Sequence, residues 1–153
     1  MAELGNNAKA GLVKALNGAL ADTTALYFKS KNFHWHVAGP RFRDLHLLFD
    51  EQAKQLIGTI DAIGERVRKN DEFTLTSIGS VSASTQIKDQ DDVTLTADAM
   101  VAELRDDNRK LKSRLETVKE EAENVGDNAT SGIVDDWIDQ AEERIWFLNQ
   151  TSK

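Results

Sequence analysis

HWHVAGPRFRDLHLLFDEQAKQLIGTIDAIGER, residues 34–66, contains all three histidines of the chain, and they are followed by regularly spaced acids. After Pro40, Leu45, Phe49, Ala53, Leu56, Ile60, Ile63 and Val67 recur at helical spacing. They form one apolar stripe, which predicts a helix over roughly 41 to 68 with the proline suited to its first turn. Upstream, Leu12, Leu16, Ala19, Leu20, Thr23 and Leu26 keep the same period. They predict a first helix that runs to about His36, where Gly39 and Pro40 break it.

Downstream, residues 70–95 are rich in Ser, Thr, Asp and Gly. That composition predicts a long connection with one short helical turn inside it. A third helix is expected from about Thr96 to about Asn124, carried by Met100, Leu104, Leu111, Leu115 and Val118. Gly126 marks a helix stop. The segment from Asn128 to Asn149 then repeats the pattern with Ile133, Trp137, Ile138, Ala141, Ile145 and Leu148. Four long helices with one long connection, between the second and third, predict an all-α, ferritin-like four-helix bundle.

The 153 residues suit one domain spanning 1–153. The absence of cysteine excludes disulfides, thiolate catalysis and Cys-ligated metal clusters, so any metal must be held by nitrogen and oxygen. A formal net charge of -7 argues against generic binding to nucleic acid and favours attraction of cations. The apolar runs are too short to cross a bilayer, and MAELGNNAKAGLVKAL lacks a signal-peptide pattern. The expected location is therefore the cytoplasm, away from membranes, with the nucleoid as the more specific alternative.

On the second helix, His46, Asp50, Asp61 and Glu65 fall within a sector of roughly 100°, beside the apolar stripe. His46 with Asp50 and Asp61 with Glu65 are i,i+4 pairs, the separation at which two side chains reach one ion. Either pair alone is a common accident of a solvated helix. The same sector carries Ile57, Gly58 and Gly64, so it reads as a second packing surface. The two pairs lie about 22 Å apart along a straight helix and cannot close on one ion within a chain. Two copies of this helix packed antiparallel about a twofold axis near residues 55 and 56 bring unlike ends together and make two sites per dimer. His34 then completes each site from the end of the first helix. Two imidazoles and three carboxylates suit iron or zinc.

FHWHVAGPRFRDLHLLFDE followed by IDAIGER, with the ending ERIWFLNQ, closely resembles the signature of the Dps family of miniferritins. The spacings between His34, His46, Asp50, Asp61 and Glu65 match that family's ferroxidase ligands throughout. The resemblance implies iron as substrate, hydrogen peroxide as preferred oxidant and a hollow homododecamer that stores ferric mineral. It assigns His34, His46 and Asp50 to one subunit and Asp61 and Glu65 to its twofold partner. Zinc is the expected substitute metal. Gly64 stands where family members often have alanine, which weakens the local helix but removes no ligand.

Trp35 follows the first ligand and has two readings of equal weight, a redox-active indole near reduced peroxide or an ordinary packing residue. His36 points away from His34 on the same helix and reads as a surface residue. Asp127, Asp135 and Asp136 lie where shells of this kind place acidic threefold pores; an N-cap for Asp127 and solvated positions for the other two are the alternatives. Trp137 and Trp146 are expected in the core. The rival function is a shell that coats DNA, with metal chemistry secondary; a zinc-bound oligomer without turnover is a third reading. Twelve copies carry a formal charge of -84 (12 × -7), and the first fifteen residues offer only Lys9 and Lys14, so DNA binding is expected to be weak.

Overall fold

The computed structural model describes the backbone of residues 2–153 and the side chains of residues 9–153. Five helices make up the described chain: α1 (Ala2–His36), α2 (Phe42–Lys69), α3 (Ile78–Ser84), α4 (Ala97–Asn124) and α5 (Asn128–Thr151). No strand occurs among the described residues. No helix there is long and apolar enough to cross a membrane. The four long helices and the short helix in the connection follow the sequence pattern closely. One difference is that α1 begins well before Leu12, because residues 2–11 carry no apolar stripe from which a helix could be read.

The core is filled by Leu12, Leu16, Leu26 and Phe33 of α1, Leu45, Phe49, Leu56 and Ile63 of α2, Met100, Leu104, Leu111 and Leu115 of α4, and Val134, Trp137 and Leu148 of α5. Phe33 and Phe49 pack with centroids 6.3 Å apart and tilted planes, a favourable aromatic arrangement. On α5 the buried face runs through Val134, Trp137, Ala141, Arg144 and Leu148. Ile133 and Trp146, expected inside, are instead exposed. The apolar residues of α5 cover more than one face, and the 3.6-residue period alone does not decide which face turns inward.

One tight turn and one long connection set the topology. Between α1 and α2, Gly39 adopts φ 112°, a backbone conformation that a side chain would strain. This tight reversal lays the end of α1 against the start of α2. After α2 the chain returns along α1, fastened by four polar side chains in the same order as the connection they hold. Asn17 Nδ2 donates to the Phe73 carbonyl at 3.0 Å, and Asp22 accepts from Thr85 Oγ1 at 2.8 Å and from the Gln86 amide at 2.9 Å. Further along, Lys29 Nζ donates to the Lys88 carbonyl at 2.9 Å and Asn32 Nδ2 to the Gln90 carbonyl at 3.0 Å.

Asp22 is fully buried and also meets Arg114 Nε of α4 at 3.2 Å. That guanidinium passes so close to Gly18 that a Cβ there would lie 2.0 Å from Nη1. Within the connection, Ser77 and Ser80 form a capping box that starts α3, a helix with no buried residue. Thr96 caps α4 by accepting from the Ala99 amide. The antiparallel α1–α2 and α4–α5 pairs then pack through α1 and α4.

Candidate metal centre

The Gly39 reversal brings His34, in the last turn of α1, over His46, in the second turn of α2. Their rings stack with centroids 3.8 Å apart and planes 14° from parallel. His34 Nδ1 lies 2.6 Å from the His46 carbonyl, and His46 Nδ1 lies 2.7 Å from the His34 carbonyl. A carbonyl only accepts, so each Nδ1 carries a proton and donates it, which makes Nε2 the acceptor nitrogen whenever the ring is neutral. This is the tautomer a metal ligand requires, oriented in the usual way by a backbone carbonyl. Phe42 stacks on the other side of His46 at 5.0 Å.

Asp50, one turn beyond His46, places Oδ1 3.9 Å from His34 Nε2. Hydrogen bonds from Lys31 and Lys54, reinforced by their charges, hold its carboxyl down at about 2, so it is a carboxylate at any physiological pH. Lys31 also lies 5.7 Å from the centre of the exposed Trp35 ring, and that ring meets Phe28 edge-on at 6.1 Å. His36 points elsewhere and bonds to Asn32 at 2.8 Å, as its angular position predicts.

Asp61 and Glu65 are exposed on the far half of α2, and neither has an ion-pair or hydrogen-bond partner among the described residues. They line a groove of about 610 Å³ together with Leu20, Ile60, Leu75 and Ile78. The same side of α2 exposes Ile57, at 48 % of its surface, and Gly58, where an added Cβ would touch nothing. An apolar, unfilled face beside two unpaired carboxylates fits the second packing surface predicted from the sequence. Within a single chain, no group of three or more His, Asp or Glu among the described residues is arranged to hold a metal ion.

The three acids near the start of α5 differ in character. Asp127 is the N-cap of α5, and it also accepts from Asn70 Nδ2 at 3.0 Å and from Arg66 Nη2 at 3.1 Å. Burial alone would raise its carboxyl, but the hydrogen bonds from Thr130 and Asn70 and the Arg66 charge outweigh it and leave the group at about 2. Asp135 is exposed and meets Lys119 Nζ at 3.0 Å, while Asp136 is exposed and accepts from Gln140 at 3.0 Å. Sequence reasoning missed Lys31 and Lys54 as partners of Asp50. The i,i+4 spacing of Asp50 and Lys54 was a visible signal for the second of these.

The profile of the ferritin-like domain matches residues 13–153. A protein of Brevibacillus brevis named DNA protection during starvation protein is 30% identical, over 87% of this chain and 89% of the relative. The chain belongs to the Dps family. Another relative, an uncharacterised low temperature-induced protein of Nostoc sp., is 33% identical over 90% of this chain and 78% of its own length. Among solved structures, the Dps protein of Vibrio cholerae O1, described as a member of a broad superfamily of ferritin-like diiron-carboxylate proteins, superposes with a TM-score of 0.90. That pair is 28% identical, over 97% of this chain and 92% of the other.

Proposed function

We propose that this Dps protein is an iron-storage and detoxification ferroxidase. It oxidises Fe(II), preferably with hydrogen peroxide, at sites shared between twofold-related subunits, and it holds the ferric product as mineral inside a hollow dodecamer. The observation that carries this reading is the pair of stacked imidazoles of His34 and His46, each held through Nδ1 and set beside Asp50, while two further candidate ligands stand unpaired about 22 Å along α2 from His46 and Asp50. In the antiparallel pairing, His34, His46 and Asp50 of one subunit face Asp61 and Glu65 of the partner subunit. Nitrogen and carboxylate donors suit Fe(II), with Zn(II) as a competing occupant. Hydrogen peroxide takes one electron from each of two Fe(II) ions and leaves as two hydroxides, so both precursors of hydroxyl radical are consumed. Asp135 and Asp136 are the proposed pore acids and Trp35 the proposed redox-active neighbour. Asp127, with its capping role, is the weakest of the pore residues. The setting proposed for this single ferritin-like domain is the cytoplasm.

The test is subunit complementation. A chain carrying H46A and D50A, and another carrying D61A and E65A, should each form shells of about 204 kDa (12 × 17.0 kDa) that oxidise Fe(II) slowly. Unfolded together and reassembled, they should regain about a quarter of the wild-type sites, since half of the random dimers contain one intact site of two. No recovery, in shells of the correct mass, would refute the shared site.

A shell that physically coats DNA is the second reading, favoured by the name of the Brevibacillus relative. Against it, Lys9 and Lys14 lie on α1 and do not form a free arm. Of the basic patch Arg109, Lys110, Lys112 and Arg114 on α4, all but Lys110 are paired among the described residues, with Asp106, Glu142 and Asp22.

A further inference from the structure

Both oxygens of Asp50 are taken by lysines. Lys31 Nζ sits 2.8 Å from Oδ1 and Lys54 Nζ sits 2.9 Å from Oδ2. The two are held differently. Lys31 reaches across from α1, is mostly covered and lies against the Trp35 ring. Lys54 comes from α2 itself, one turn beyond Asp50; its side chain is 76% exposed, and Asp50 is its only ion-pair partner among the described residues.

We infer that Lys54 is a displaceable internal counter-cation of the candidate metal site, standing in for the metal while the site is empty and swinging away from Asp50 when a divalent ion binds. The inference rests on the reading of the site given above. An ammonium within hydrogen-bond distance of a carboxylate repels a divalent ion approaching the same carboxylate, whichever oxygen that ion takes. Lys31 is tethered on two sides, so Lys54, held through Asp50 alone, is the group free to leave. The pairing register gives the ammonium a second task in the empty dimer. With the twofold axis between residues 55 and 56, Lys54 falls opposite Ile57 of the partner subunit, one helical turn from Asp61 of the partner subunit. There it offsets the repulsion that Asp50 and that acid would otherwise exert on the assembled interface.

The ordinary alternative is that Asp50 and Lys54 are simply an i,i+4 pair that strengthens α2. The two accounts separate on whether the effect depends on metal. Co(II), which air leaves unoxidised, is titrated by its visible absorbance into assembled wild type, K54M, K54R, D50N and K69M. The last variant removes an equal charge from the far end of α2. K54M should bind Co(II) roughly two- to fivefold more tightly than wild type, the range expected for loss of one exposed charge pair, while K54R and K69M stay near wild type. Thermal melting should show K54M less stable than wild type without metal and equal to it at saturating Co(II). Equal affinities for K54M and wild type, an equal gain in K69M, or a deficit in melting that persists with metal bound would overturn the role of Lys54. If D50N binds Co(II) as wild type does, it is the site itself that is wrong.

Discussion

The imidazoles of His34 and His46 brace one another, each donating its Nδ1–H to the backbone carbonyl of the other at 2.6 and 2.7 Å. The acceptors are main-chain carbonyls and survive truncation of either side chain, so removing one ring withdraws a candidate ligand and its stacking contact but leaves the other ring its hydrogen bond. H34A and H46A should each weaken Co(II) binding by about 100-fold or more, because even an orienting partner is usually worth 10–100-fold. The double variant should lose roughly the product of the two, since each ring keeps its own acceptor. A double variant no weaker than either single one in the same titration would show that the rings hold each other in place.

Asp127 provides a pH-dependent fastening between the end of α2 and the start of α5. Its folded carboxyl lies at about 2, against an ordinary 3.8, which corresponds to about 2 kcal/mol. A depressed carboxyl contributes its stability above the ordinary value and loses it as pH falls toward the folded one. D127N should therefore be destabilised relative to wild type near neutrality, and the gap should close as pH drops from about 4 to about 2. Denaturant melts of both proteins across that interval measure it. A gap that stays constant with pH would assign the effect to the cap geometry alone.

Replacing Asp22 by alanine removes the acceptor for Thr85, Gln86 and Arg114 from a fully buried position. A loss of about 3 kcal/mol is expected, as for breaking a buried charge pair. Hydrogen exchange should accelerate first at the Gln86 and Ile87 amides, before the core of α4. Uniform acceleration over all helices would show that the clasp has no local role.

The purified shell should bind duplex DNA weakly near neutral pH at physiological salt, since affinity follows the number of phosphates neutralised. In a gel-shift titration of plasmid, no retardation is expected with EDTA, and magnesium should be required for any complex. Retardation at submicromolar protein with EDTA present would restore the DNA-coating reading.

The helices and the ligand candidates were legible because each rests on a fixed period. Leu45 to Val67 marks α2, and the i,i+4 pairs mark one sector of it. What the sequence could not supply depends on which face meets which neighbour. Trp146 carries as much apolar surface as Trp137, yet only the latter is buried in the core. Lys31 meets Asp50 across two helices, a contact set by the Gly39 reversal and not by any spacing along the chain. The same reversal makes the histidine brace, whose acceptors are backbone carbonyls that no side-chain pattern records.

Asn17, Asp22, Lys29 and Asn32 fasten the long connection to α1 in consecutive order, and this bears on the route by which the chain folds. The α1–α2 and α4–α5 hairpins close over short sequence separations and can form early, whereas every fastening of the connection spans more than fifty residues. Loop closure over that distance is unfavourable until the two hairpins have docked. The connection is therefore expected to order after the hairpins, along a helix that is already in place.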